Sequence, residues 1–350
     1  MIKLKTILLT GASGVIGSAL LQRLGHHRVI ALVHHSSVLA EEVRGDLTEP
    51  RLGLDDVTYQ RLRSIVDTVV HCGATISLRD GARVTQELNV RGTGRVTEFA
   101  ASAGADLLYV STSFIARNRL ARVEDARSNP RSGAVPHHYL DSKQAAEELV
   151  RSSGVPYAIA RPSLVIGDSD TGFMPSFQGL HSIIGALLRG ALPLFPVEKD
   201  ARIDIIPRDT VADAIAAMVD HGLAGQEQWL TSGTAAPTAH DFVRTCLRRA
   251  SAWGIPMPTP RIVGPDAIDR LIRPVFISSL AEAERRRFDD LLALASLFDT
   301  SSPFPSTLEE IPGGPAPLSA TELRDALSNS IDHLAHRKGL IRAGKEEPAQ

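Results

Sequence analysis

The chain has 350 residues, 43% of them apolar, and a formal net charge of −2 at pH 7. That is ample apolar material for a large core, and the charge gives no case for nucleic acid or an anionic membrane surface as partner. Two cysteines, Cys72 and Cys246, form neither a disulfide framework nor a zinc-ligand spacing, so a reducing cytoplasmic setting and no metal are expected.

The first apolar run, residues 6–9, starts within a few residues of Met1, so no signal peptide is expected. TGASGVIG follows at residues 10–17, then a helical pattern over 18–24. Strand, glycine turn and helix in that order make a dinucleotide-binding turn. Gly11 permits the tight turn, Gly14 lets the backbone approach a pyrophosphate, and Gly17 lets helix and strand pack closely. The helix N-terminus then offers free N–H groups to the phosphates.

Further apolar runs at 29–33, 68–71, 107–110 and 158–160 alternate with helical patterns that include 92–103 and 140–152. This alternation predicts an α/β fold with a doubly wound parallel sheet and right-handed crossovers. Ligands bind at the carboxyl ends of strands in such sheets. The glycine turn, His71-Cys72-Gly73-Ala74 and Ser111-Thr112-Ser113 therefore line one crevice, with His71 and Cys72 read as packing and loop residues.

After Ile166 the character changes, with Gly, Pro and Phe dense over 172–179 and a helical stripe at 182–188 that stops at Pro193. A return to the main sheet is expected at 202–206, followed by helices at 211–219, 241–251 and 280–297. Residues 301–317 read as a long irregular connection and 345–350 as a disordered tail. The organisation expected is a dinucleotide-binding domain, 1–168 with 200–222 returning to it. A smaller, mostly helical substrate-binding cap is expected from 169–199 and 223–344. The longest apolar stretches, such as 183–188, are far below membrane-spanning length.

YLDSK at residues 139–143 places a phenol and an ammonium four residues apart, on one helix face. Lys143 is expected to lower the phenol's pKa and make Tyr139 a proton donor near neutral pH. A nucleotide turn with such a pair reads as nicotinamide-dependent carbonyl chemistry.

The glycine spacing, the order Thr112, Tyr139, Lys143, and RPSLVIGD at 161–168 together resemble the extended short-chain dehydrogenase/reductase superfamily, which has a Rossmann sheet. GDLTEPRLGLDDVTYQRL at 45–62, VDTVVHCGAT at 66–75 and NVRGTG at 89–94 narrow the likeness to its thioester reductase branch. That branch holds reductive-release domains, carboxylic acid reductase terminal domains and fatty acyl-CoA reductases. The resemblance covers the first two-thirds of the chain.

The resemblance implies that Gly11, Ser13, Gly14, Val15, Ile16 and Gly17 cradle the pyrophosphate, and that Asp46 and Leu47 meet the adenine. Gly73 and Ala74 would lie along the cofactor, braced by Asn89, and Pro162, Ser163 and Val165 would flank the nicotinamide. Thr112, Tyr139 and Lys143 would be catalytic, with Ser111 and Ser113 one register step away. Tyr139 and Lys143 would also touch the cofactor. The segment between the second strand and Asp46 is shorter than in this branch, so a helix there is trimmed. That strand ends His34-His35-Ser36, where NADP-dependent relatives place an arginine; no acid stands there to grip a ribose 2′-hydroxyl. His34 is a cofactor contact or an exposed residue, and NADPH is favoured over NADH.

The implied activity is reduction of an acyl thioester, borne by a carrier protein or coenzyme A, to aldehyde or alcohol in secondary metabolism. Reduction of a free ketone or aldehyde is the alternative on the same scaffold. A nucleotide-sensing protein without turnover is the third reading, opposed by the presence of Thr112, Tyr139 and Lys143 together.

Overall fold

Ile7, Leu8, Leu9, Val69, Val70, Leu107 and Leu108 have no solvent exposure, because their strands are covered by helices on both faces. The computed structural model describes residues 3–77, 80–117, 136–222, 225–264, 267–272, 282, 285 and 302–341. Seven strands, numbered in chain order, form the main sheet: β1 (Thr6–Thr10), β2 (Arg28–Val33), β3 (Glu41–Arg44), β4 (Thr68–His71), β5 (Asp106–Val110), β6 (Tyr157–Pro162) and β10 (Gln226–Leu230). Their spatial order is β10-β6-β5-β4-β1-β2-β3 and every pairing is parallel. The connections diverge between β1 and β4, which opens a crevice beyond their carboxyl ends.

The alternating side chains of β1 define the two faces. Ile7 and Leu9 pack with α1 (Val15–Arg23) and α7 (Arg208–His221), whereas Leu8 packs with α2 (Asp56–Ile65), α4 (Gly92–Ala103) and α5 (Pro136–Ser152). Asp55 caps α2 by accepting from the Thr58 amide at 2.9 Å. The short α3 (Ala82–Thr85) runs into a π-helical turn, Gln86–Arg91, and then into α4. Residues 34–40 join β2 to β3 without a helix, as the short connection implies.

A second core holds the cap. Ile183, Ile184 and Leu187 of α6 (Gly179–Leu188) meet Phe242 of α8 (Ala239–Ala252) and Leu327 and Ile331 of α9 (Ala320–Arg337). The return to the main sheet expected at 202–206 is not there. Instead β9 (Ile205–Pro207) pairs with β7 (Leu164–Ile166) in a separate two-stranded sheet. The main sheet is completed by β10, inside the stretch read from sequence as cap. The long helix α9 is also additional to the sequence expectation, while the helix expected at 280–297 and the tail at 345–350 lie outside the described residues, save for 282 and 285.

His26, His27 and Asp220 come together at the opposite end of α7. His27 Nδ1 accepts from the Lys5 amide at 3.3 Å, so its Nε2 carries the hydrogen and donates to Asp220 at 2.8 Å. A metal would have to displace that proton, and the trio instead ties the start of β1 to the end of α7. Among the described residues no helix is long and apolar enough to cross a membrane.

Candidate active site

The glycine turn is shaped by contacts that leave no room for a side chain. Gly11 has φ +68°, and a Cβ there would lie 2.7 Å from the Cys72 carbonyl carbon. A Cβ on Gly17 would lie 2.1 Å from the Gly11 carbonyl oxygen. Gly14 sits at the N-cap of α1 with no side-chain cap, and the helix has no acid in its first turn. The amides of Val15, Ile16 and Gly17 are thus left for an anion, at the positive end of the helix dipole.

Across the crevice, Gly73 donates its amide to Thr10 Oγ1 at 3.0 Å. The Leu47 side chain packs against Gly73, where a Cβ would meet it at 2.7 Å. Asp46 is held by the Thr48 amide and hydroxyl, at 2.8 and 2.7 Å, and its other oxygen lies 3.3 Å from His34 Nε2. Asn89 accepts from the Thr75 amide at 2.9 Å and donates to the Thr75 carbonyl at 3.0 Å, so it clamps the loop that carries Gly73 and Ala74. Arg44 was not singled out from sequence. Its guanidinium donates to the carbonyls of His34 and His35 and to Ser37 Oγ, beneath the loop that follows β2. Pairing of β2 with β3 puts it there, beside Val33, and no local motif carries that signal.

Thr112 follows β5 and is buried, with its hydroxyl beside the Tyr139 phenol, whose pKa it lowers. The hydroxyls of Ser111 and Ser113 are buried without a partner among the described residues, so Thr112 is the member of the trio that meets Tyr139. Lys143, 3% exposed, donates from Nζ to the Val110 carbonyl at 2.8 Å and lies 4.5 Å from the centroid of the Tyr109 ring.

The expected lowering of the phenol by Lys143 does not occur. Burial pushes Tyr139 up to about 12, with the Thr112 hydroxyl pulling weakly the other way. Burial also pushes the Lys143 ammonium down to about 8. Desolvation is the largest cause for both groups, and Nζ is aimed at the Val110 carbonyl. At neutral pH the phenol is therefore fully protonated, as a proton donor must be.

A directed chain of hydrogen bonds joins the cofactor loop to α5. Thr93 Oγ1 donates to the Asn89 carbonyl at 2.6 Å, so it can only accept from His71 Nε2–H, 3.1 Å away. His71 Nδ1 must then accept from the Thr10 hydroxyl at 2.7 Å, whose oxygen already accepts from Gly73. On the far side, Asn89 Nδ2 donates to Ser142 Oγ at 2.9 Å, which donates to the Tyr139 carbonyl at 2.7 Å. Burial holds His71 neutral, with its pKa down to about 3. The residue read from sequence as packing is a two-ended connector.

Pro162 ends β6, and the Ser163 amide donates to the Leu230 carbonyl of β10 at 3.1 Å. The Ser163 hydroxyl is buried without a partner among the described residues, at the rim where a nicotinamide amide would need a donor or acceptor. Val165 pairs with Ile206. Uncapped α1 amides, glycines too tight for any Cβ and an orphaned hydroxyl at the other end fit a dinucleotide. The cap side is less apolar than its phenylalanines suggest. Phe173 and Phe177 stack edge-on or tilted against His333, and Phe177 lies 5.3 Å from the His181 ring.

A family model described as male sterility protein, an NAD-binding family, matches residues 38–215, just over half of the chain. That span includes Thr112, Tyr139 and Lys143 and leaves the glycine turn outside it. Hybrid PKS-NRPS synthetase poxE of Penicillium oxalicum is 33% identical over 240 residues, covering 60% of this chain and 6% of that protein. The isonitrile lipopeptide synthase of Streptomyces coeruleorubidus is 28% identical over 239 residues, covering 59% of this chain and 16% of that protein. The chain thus spans a small part of the length of these relatives. The terminal R domain of the myxalamid PKS-NRPS pathway superposes with a TM-score of 0.71 at 25% identity, over 98% of this chain and 93% of that one. A thiolation-reductase di-domain from an archaeal non-ribosomal peptide synthetase shares the fold, with a TM-score of 0.68 at 16% identity over 97% of this chain and 76% of that one.

Proposed function

We propose, for a chain that belongs to the male sterility protein family of NAD-binding oxidoreductases, that it reduces an acyl thioester borne on a carrier protein or coenzyme A, with NADPH. The observation that carries the reading is the placement of the buried Thr112 hydroxyl beside the Tyr139 phenol at the carboxyl edge of the sheet, one helical turn from a buried ammonium. The likeness to a terminal R domain and to a thiolation-reductase di-domain supports an acyl group delivered by a carrier.

The α1 amides and the glycine turn would hold the pyrophosphate, Asp46 and Leu47 the adenine end, and Ser163 with Val165 the nicotinamide end. NADPH bound there supplies the hydride. Thr112 and Tyr139 are two preorganised donors for one carbonyl oxygen, and they stabilise charge as it builds there. Tyr139 then yields its proton to that oxygen, and the Lys143 ammonium offsets the phenolate left behind. The resulting hemithioacetal loses thiolate to give an aldehyde, and a second reduction gives the alcohol. NADPH oxidation coupled to thiol release from an acyl thioester is the expected result. Oxidation with free ketones or aldehydes and no thiol from any thioester would replace this reading by reduction of a free carbonyl.

NADPH over NADH rests on Arg44 together with His34 and His35. The guanidinium already organises the loop and keeps a positive charge against it, suited to a 2′-phosphate. Arg44→Ala is expected to cut the ratio of NADPH to NADH affinity by about tenfold or more, the worth of one charge-assisted hydrogen bond. Fluorescence titration with both cofactors measures it; an unchanged ratio would place 2′-phosphate recognition elsewhere.

A further inference from the structure

Beyond the end of β10, four arginines line one cavity of about 300 Å³: Arg202, Arg244 and Arg248 on or near α8, and Arg324 on α9. The single acid among the lining residues is Asp241, which accepts from Arg244 at 2.7 Å. Among the described residues, Arg248 and Arg324 each donate only to a threonine hydroxyl of their own helix, Thr245 at 3.2 Å and Thr321 at 3.0 Å. Neither has a carboxylate within 4.0 Å among the described residues, although the chain as a whole carries two more acids than bases. Arg244 and Arg248 are also four apart on one helix, where like charges repel. The first turns of α8 and α9 both border the cavity, each already closed by a side-chain cap and an acid of its own, Asp241 and Glu322. Such a gathering of cations is unfavourable alone and is relieved by an anion.

The cavity is connected to the reaction centre by a short series of contacts. Residues 234–236 of its wall follow β10, whose Leu230 carbonyl accepts from the Ser163 amide. A Cβ on Gly233 would lie 3.4 Å from the Phe304 carbonyl oxygen. The Phe304 ring stands edge-on to Phe114 at 5.5 Å, and the Phe114 amide donates to Thr112 Oγ1 at 3.3 Å. Residues 234–236 stand four to six residues beyond Leu230, so at most about 20 Å of chain separates the cavity wall from the Ser163 edge of the reaction centre.

We propose that this cavity binds the phosphate of the substrate's 4′-phosphopantetheine arm, with Arg248 and Arg324 as its ligands; the assignment rests on the thioester reading above. Planar guanidinium forks suit a phosphate better than an ammonium would, because they donate two parallel hydrogen bonds. Held at its far end, the arm presents its thioester to Thr112 and Tyr139, so a remote contact contributes to orienting the reacting carbonyl. A phosphodiester on a carrier serine and the pyrophosphate of coenzyme A both contain the phosphate in question.

The test compares octanoyl-4′-phosphopantetheine with octanoyl-pantetheine, which differ only in that phosphate, in the wild type and in R248A/R324A. The wild type is expected to prefer the phosphorylated thioester by about tenfold or more in kcat/KM, and the double variant to lose that preference. Calorimetric titration with 4′-phosphopantetheine alone is expected to give binding to the wild type and none to the variant. Octanoyl-carrier and octanoyl-coenzyme A, run in parallel, identify the source by which of the two loses efficiency. If both pantetheine substrates are turned over and the variant keeps the wild-type preference, the cavity assignment fails and the thioester reading stands. If no thioester is turned over but phosphopantetheine binding depends on the two arginines, the thioester reading fails and the cavity stands. Absence of phosphopantetheine binding to the wild type overturns the cavity assignment in either case.

Discussion

Tyr139→Phe is expected to lower turnover by about two to four orders of magnitude, the span usual for loss of a general acid. The substitution removes one oxygen from a half-buried ring and leaves its packing against the cap core intact. Burial keeps the phenol protonated, its pKa up to about 12, so at neutral pH its only chemical contribution is to donate. Thr112 remains as the second donor and sustains residual catalysis. Steady-state kcat and cofactor titration on the same sample separate the effects, since NADPH affinity should stay within about twofold of wild type while kcat collapses. A variant that kept most of its turnover would move the proton donor to another residue.

Arg161→Ala is expected to destabilise the fold by about 1.5–3 kcal/mol, because it takes two charge-assisted hydrogen bonds from a buried carboxylate and leaves it only Arg151. Glu147, 1% exposed, takes both parallel hydrogen bonds of the Arg161 fork, at 2.9 and 2.8 Å. Arg151 donates to Glu147 and to Glu227, at 2.7 Å each, and closes a neutral set of four charges over α5, β6 and β10. Glu147 stands one turn beyond Lys143, so the same set fixes the register of the helix that carries Tyr139. Urea unfolding followed by far-ultraviolet circular dichroism gives the loss, and Glu147→Leu/Arg161→Met should recover part of it by removing both charges. A cost below about 1 kcal/mol for Arg161→Ala would mean that the carboxylate finds water. Hydrogen bonds from Arg151 and then Arg161 hold Glu227 down to about 2. Its stabilising effect is therefore present above its ordinary value of 4.5 and lost as pH falls toward 2.

What could be read in advance follows the strength of local signals. The glycine turn, β4 with its loop, and α4 are all set by short-range pattern, and the structure has them within a residue or so of expectation. The strand β10 escaped because its sequence, QEQWL, is polar where an edge strand of a parallel sheet would ordinarily be apolar. Glu227 there is spent on the arginine set and Trp229 lies under Arg161, uses that no periodicity reveals. Helix α9 did announce itself: Ser319 and Glu322 form a capping box, and Leu323, Leu327, Ile331 and Leu334 follow at helical spacing. Arg44 and the arginine cavity depend on residues brought together by tertiary pairing. The raised phenol depends on burial, which a four-residue spacing does not encode.

The relay through His71 has a polarity. An amide at Gly73 can only give and a carbonyl at Asn89 can only receive, so every proton between them is oriented one way. A second proton on the imidazole would face an oxygen whose own hydrogen already points inward. The arrangement tolerates no inverted link, and it treats mild acid as if it were neutral water. Loss of order at either end is consequently shared: were the loop at Gly73 to drift, the backbone carrying Tyr139 would shift with it.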